Sequence, residues 1–163
     1  MATHRYGARV LLLDRDDRIL LFRLVNPANG NTWWSTPGGG VEQGEKSVDA
    51  ARRELREETG IEADELAGPV WRDDHWFRTA DDLVHQEDRY FLLRVDHPEV
   101  RTSGLDSIEA ETMVEHRWWA ADEIEASPDR IYPTGLAGHL RTLLQDGVPE
   151  RPVAIKPPRR PRA

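Results

Sequence analysis

An α/β class is what this chain predicts, on three observations. Short apolar runs of strand length recur along it, helical periodicity is confined to a few segments, and glycine, proline and asparagine clusters separate them. Strands mixed with few helices belong to the α/β or α+β classes rather than to bundles or sandwiches.

The elements follow in order. Val10-Leu11-Leu12-Leu13 and Ile19-Leu20-Leu21-Phe22 read as two strands joined by the tight polar turn Asp14–Arg18. Asn26–Asn31 is a loop by composition. Trp33-Trp34-Ser35-Thr36 leads into Pro37-Gly38-Gly39-Gly40, where side chains are excluded and backbone is bared. Ser47–Thr59 is the clearest helix: Ser47 as cap, Asp49 in the positive first turn, Val48, Ala51 and Leu55 as the buried stripe, and Gly60 as its end. Strands are predicted over Val70–Thr79, Arg89–Val95 and Arg117–Trp119, with a short helix from Asp122. Pro133–Asp146 is a terminal amphipathic helix carrying Leu136, Leu140, Leu143 and Leu144 and closed by Gly147. No internal repeat is visible.

Composition narrows the chemistry. The 163 residues suit one domain and include no cysteine, which excludes disulfides, thiolate catalysis and cysteine-based zinc sites. No apolar run approaches the ~18 residues of a membrane span, and the first residues carry no secretory h-region, so a cytoplasmic location is expected. The net charge of −8 is unevenly spread. Residues 148–163 hold five basic residues and one acid among five prolines, and read as an extended, solvated Pro/Arg-rich tail after a domain spanning 1–147. The acidic remainder repels a nucleic-acid backbone, leaving the tail as the segment able to contact RNA, and it disfavours phosphorylated ligands unless cations mediate.

The predicted helix Ser47–Thr59 carries the chemistry. Glu54, Glu57 and Glu58 lie three and four residues apart, so three carboxylates share a face. The like-charge Glu54–Glu58 pair costs an isolated helix roughly 0.2–0.5 kcal/mol. Mg²⁺ or Mn²⁺, which prefer oxygen ligands, would turn that repulsion into ligation. A solvated acidic face balanced by Arg52, Arg53 and Arg56 is the competing reading.

Gly39, five residues, Glu45, seven residues and then Arg53-Glu54-Leu55-Arg56-Glu57-Glu58-Thr59-Gly60-Ile61 meet every position of the 23-residue Nudix box. The chain therefore resembles the Nudix hydrolases of the MutT-like kind. The resemblance implies a Nudix fold, an α/β/α sandwich around a mixed central sheet, and metal-dependent hydrolysis of a nucleoside diphosphate linked to another moiety. It implies Glu57 and Glu58 as main Mg²⁺ ligands, Glu54 as a further ligand or the base, and the Gly38 carbonyl as a ligand. Arg53, with Glu45, is implied to orient the carboxylates. It also implies a carboxylate from outside the box, for which Glu111 is the first choice, before Glu115 and Glu87. The mechanism expected is water attack on phosphorus; no Gly-x-Ser-x-Gly motif suggests acyl transfer.

Trp33 and Trp34, with Gly39 and Gly40, are the candidate substrate contacts, and in each Trp pair one ring should face inward. Trp118-Trp119 pose the same question, while Arg5, Arg23 and Arg78 could reach phosphate. The six histidines show no metal-ligand spacing. The segment His75–Thr79 lacks the proline and tyrosine marks of ADP-ribose and diadenosine polyphosphate hydrolases. A (d)NTP-type substrate is expected, ahead of ADP-ribose, nucleotide sugars, dinucleotides or an RNA end; a nucleotide-sensing domain without turnover is the reading from another class. Family members are often homodimers, and no patch in this sequence demonstrates an interface.

Overall fold

A computed structural model describes residues 2–96 and 99–156. The elements run β1 (Ala2–Leu13), β2 (Ile19–Val25), β3 (Thr32–Ser35), β4 (Gly38–Gly40), α1 (Ser47–Thr59), β5 (Ala67–Arg78), β6 (Leu83–Arg94), α2 (Ser107–Thr112), β7 (Met113–Trp119), α3 (Ala121–Ala126), α4 (Leu136–Asp146) and β8 (Val153–Lys156). Among the described residues the strands form one sheet in the order β3-β2-β1-β6-β5-β8, with β4 also on β1 and β7 on β2. β1–β6 and β5–β8 are parallel and the other pairs antiparallel, so the sheet is mixed.

The apolar run of β1 is continuous because both its faces are covered. Val10 and Leu12 pack with Leu20, Phe22, Phe91 and the α1 residues Ala50, Ala51 and Leu55. Leu11 and Leu13 point the other way, to Ile19, Leu21, Ile124 of α3 and Leu136, Leu140 and Leu143 of α4. Helices thus cover both faces of the sheet, as an α/β/α sandwich requires. The β1–β2 turn is held by the Asp14 carboxylate, which accepts from the Asp16 and Arg18 amides at 2.9 Å each and from Arg18 Nε at 2.8 Å.

Several expectations need correction. Lys46, not Ser47, is the residue preceding α1, and it makes no side-chain cap; Ser47 is already helical. The Gly60 end holds, with φ 75° and its amide bonded to Arg56 O. α4 starts at Leu136 rather than Pro133, because Gly135 before it is left-handed at φ 77°. β1 and β6 extend well beyond their apolar cores, since the exposed polar residues Thr3–Tyr6 pair with Val84–Glu87. α2 had no sequence prediction; its first turn is closed by a reciprocal Asp106–Glu109 capping box. The tail is not wholly a solvated arm. Its residues Val153–Lys156 add β8 to the edge of β5, and the bases Arg159, Arg160 and Arg162 lie outside the described residues. Among the described residues, no helix is long and apolar enough to cross a membrane.

Candidate active site

The site begins where α1 lies against β4. A Cβ on Gly39 would sit 2.5 Å from Glu54 Oε1, and one on Gly38 would strike the Ala8 carbonyl. Bare backbone at these two positions is what lets the acidic face of α1 approach the sheet.

Glu58 is the most enclosed of the acids, 4 % exposed. Its Oε2 accepts from the Gly38 amide at 2.8 Å. Burial pushes its carboxyl up to about 8, against the pull of that hydrogen bond and of Arg9; Glu54 and Glu109 reinforce the rise. Burial likewise raises Glu54, with Arg53 opposing and Glu57 adding repulsion. Glu109 of α2 is also raised, first by burial and then through Asp106 and Glu54.

These three acids converge. One carboxylate oxygen from each of Glu54, Glu58 and Glu109 lies within 4.8 Å of the others. Of the predicted ligands, the structure therefore gathers Glu54 and Glu58. Glu57 is half-buried on the neighbouring arc of α1, 3.5 Å from Arg53 Nη1. Gly38 meets the cluster through its amide, while its carbonyl accepts from Arg9 Nη1 at 3.4 Å. The acid from outside the box that joins this cluster is Glu109, while the predicted Glu111 stays apart from it. Two residues on, a helix has turned by about 200°, and Glu111 is exposed. Glu115 is exposed in an ion pair with Arg23 at 3.4 Å, and Glu87 lies 3.2 Å from Arg89. The pattern Asp106-x-x-Glu109 would have marked the start of α2 and so which acid faces inward.

Arg53 holds the arrangement together. Nε and Nη2 donate to the two Glu45 oxygens at 3.0 Å each, Nη1 to Glu54 Oε1 at 2.8 Å, and Nη2 also to Gly40 O at 3.0 Å. This planar fork ties the helix to the glycine strand, a geometry lysine could not reproduce. Hydrogen bonding from Arg53 keeps Glu45 below the usual carboxylate range.

Two hollows meet at Arg9. One of about 670 Å³ runs along Gly39 and Gly40 with Arg5 and Arg9 at its side. The second, of about 390 Å³, is lined by Trp33, Tyr132, Trp76, Arg9, Asp73 and Asp88. They share Arg9, His75 and Asp88. Arg9 was not anticipated, although a charge inside the apolar stretch of β1 was itself a signal. It donates to Thr36 O and Gly38 O at 3.2 and 3.4 Å and is held charged mainly by Asp88 among its neighbours, against the cost of its burial. Trp33 lines the second hollow. Trp34 does not: it is buried against Trp119, with Nε1 donating to Asp129 Oδ2 at 3.1 Å. The alternation of a strand separates the two rings. Trp118 and Trp119 divide in the same way between the two cores.

Comparison with known proteins agrees with this geometry. The NUDIX domain family model matches residues 3–136. An RNA pyrophosphohydrolase of Novosphingobium aromaticivorans is 30% identical over 137 residues, covering 76% of this chain and 80% of that protein. An RNA pyrophosphohydrolase of Caulobacter vibrioides is 32% identical over 142 residues, covering 80% and 78%. Among solved structures, a MutT NUDIX hydrolase from Burkholderia pseudomallei superposes with a TM-score of 0.63 at 27% identity, over 85% of this chain and 97% of that one. The chain belongs to the Nudix hydrolase family.

Proposed function

We propose that the chain is a Mg²⁺-dependent pyrophosphohydrolase of (d)NTP-type nucleotides, acting by water attack on phosphorus. The observation that carries the reading is the convergence of Glu54, Glu58 and Glu109 within 4.8 Å beside the glycine strand. Carboxylates forced together with raised proton affinity are unfavourable partners for one another and good ones for a hard divalent cation. Glu58, Glu109 and Glu54 would hold it, with Glu57 beside them; Mn²⁺ suits the same oxygens. Such a cation supplies neutralisation of phosphate oxygens and acidification of water. Arg53 acts as a positioning residue, fixing Glu54 Oε1 and leaving Oε2 to accept the proton of the attacking water. The bared backbone of Gly39 and Gly40 and the Arg5 and Arg9 side chains border the hollow in which the phosphates would lie.

A panel of nucleoside triphosphates, ADP-ribose, nucleotide sugars and dinucleotide polyphosphates with Mg²⁺ or Mn²⁺ tests this, with Glu57→Gln and Glu58→Gln as controls. Metal-dependent release of pyrophosphate from triphosphates, lost in Glu58→Gln, is expected. Nucleotide binding with no turnover on any compound would replace the reading with that of a sensor domain.

A second reading, hydrolysis at a triphosphate-bearing RNA end, is favoured by the RNA pyrophosphohydrolase relatives and by the basic composition of residues 148–163. β8 ends at Lys156, paired with Asp73, one of the residues that line the cleft. Replacing Arg159, Arg160 and Arg162 by serine should then weaken RNA binding and flatten its salt dependence. Unchanged binding would remove this reading.

A further inference from the structure

We infer that Asp106 is a positioning residue for the acid cluster: by closing the first turn of α2 it aims Glu109 at Glu54 and Glu58. The inference rests on the reading of that cluster as a cation site and goes beyond it, to what holds its one member from outside α1 in place. Glu54 and Glu58 ride on α1, a helix of 13 residues that buries Ala50, Ala51 and Leu55 against the sheet. Glu109 has no such support. α2 is six residues long and buries none of them, and Ile108 beside Glu109 is 72 % exposed. A helix this short is not stable through its own backbone bonds, and packing ordinarily supplies the rest.

Two local devices stand in for that packing. The first is the capping box. Asp106 Oδ1 accepts from the Glu109 amide at 2.8 Å, and Glu109 Oε1 accepts from the Asp106 amide at 3.4 Å. The second of these bonds restrains the same side chain that has an oxygen within 4.8 Å of Glu54 and Glu58. The box therefore fixes both the start of the helix and the direction of the Glu109 carboxylate. The second device is the seat of the preceding strap, residues 101–105, on the C-terminal end of α1. The Arg101 amide donates to Thr59 O at 2.7 Å, and a Cβ on Gly104 would lie 2.5 Å from Glu57 O. Bare backbone at Gly104 lets the strap, and α2 after it, come down onto the helix that carries the other acids.

A ligand carried on an element that is formed only part of the time binds more weakly by that fraction. The coupling is reciprocal: a cation shared by Glu58 and Glu109 ties α2 to α1 and stabilises α2 by the same factor.

The test uses the full chain without nucleotide. Mn²⁺ binding is titrated by calorimetry for wild type, Asp106→Ala, Asp106→Asn, Glu109→Gln and the double variant Asp106→Ala/Glu109→Gln. Asp106→Ala should weaken Mn²⁺ binding about fivefold, the usual worth of a helix cap, with an unchanged melting temperature in EDTA because α2 buries nothing. Asp106→Asn keeps the acceptor without the charge and should bind as wild type does. In the Glu109→Gln background Asp106→Ala should make no further difference, which separates action through Glu109 from a general loosening. Amide hydrogen exchange in residues 107–112 should slow when Mn²⁺ is added to wild type, and not in Glu109→Gln. Equal Mn²⁺ binding by Asp106→Ala and wild type would overturn the inference and leave the cation site standing. An Asp106→Asn variant as weak as Asp106→Ala would also overturn it, by assigning the effect to charge; so would a full additional loss in the double variant, or exchange in α2 that ignores Mn²⁺. No Mn²⁺ binding by wild type would remove the cation site itself, and the inference with it.

Discussion

Glu58→Gln should stabilise the metal-free protein at alkaline pH while abolishing hydrolysis. Burial moves the Glu58 carboxyl from its ordinary 4.5 to about 8. Between those values the folded state keeps a proton that the unfolded state has lost, so stability is fully retained below about 4.5 and falls as pH rises toward 8. A tenfold change in proton affinity is worth about 1.4 kcal/mol, so carrying this charge costs the folded protein about 4 kcal/mol at pH 8. Glutamine keeps an oxygen for the Gly38 amide and removes the charge. For a domain of this size 1 kcal/mol corresponds to roughly 2–4 °C in Tm, so the variant should melt about 10 °C above wild type at pH 8.5 in EDTA. The gap should close near pH 4.5, and Mg²⁺ should raise the wild type selectively. Thermal melts of both proteins across that range read it directly. A variant less stable than wild type at pH 8.5 without metal would show that Glu58 is not held in the folded state at a cost, and the reasoning would fail.

Other outcomes follow from the same geometry. Glu109→Gln should weaken Mg²⁺ binding by calorimetry and lower kcat/KM about tenfold or more, whereas Glu111→Gln should match wild type in both. Gly39→Ala should keep the fold by circular dichroism and lose at least about tenfold in activity, because its Cβ would displace Glu54 Oε1 from 2.5 Å. Arg53→Lys should cost roughly 10–100-fold in kcat/KM, since one ammonium cannot serve Glu45, Glu54 and Gly40 together.

Much of the active-site helix was legible in the sequence because its chemistry is local. Glu54 and Glu58 meet through helical spacing, and glycine at position 39 answers to a carboxylate fifteen residues away on a rigid element. What escaped was non-local or concealed by polar residues. Glu109 reaches the cluster from a six-residue helix whose start is marked by a capping box rather than by apolar periodicity. Arg9 gains its surroundings only through β4 and β6, which bring the Gly38 carbonyl and Asp88 to it. Asp73 and Asp88 are adjacent only through the β5–β6 register, which no spacing in the chain reveals. The exposed beginning of β1 carries no alternation because neither of its faces is buried there.

β8 has a consequence for solubility. Its backbone pairs Val153 with Trp71, Ala154 with Arg72 and Lys156 with Asp73, covering part of what would otherwise be an open margin of the sheet. At the opposite margin β3 is screened by the chain itself: the Trp34 amide donates to Arg130 O, and Trp34 O accepts from the Tyr132 amide. A sheet whose outermost ladders are occupied offers little template for a neighbouring molecule's strand. Trimming the chain at Gly147, where the amphipathic pattern ends, would uncover unpaired amides and carbonyls on β5 beside the apolar Val70 and Trp71. The shortened protein would then be prone to edge-to-edge aggregation even with every active-site residue in place.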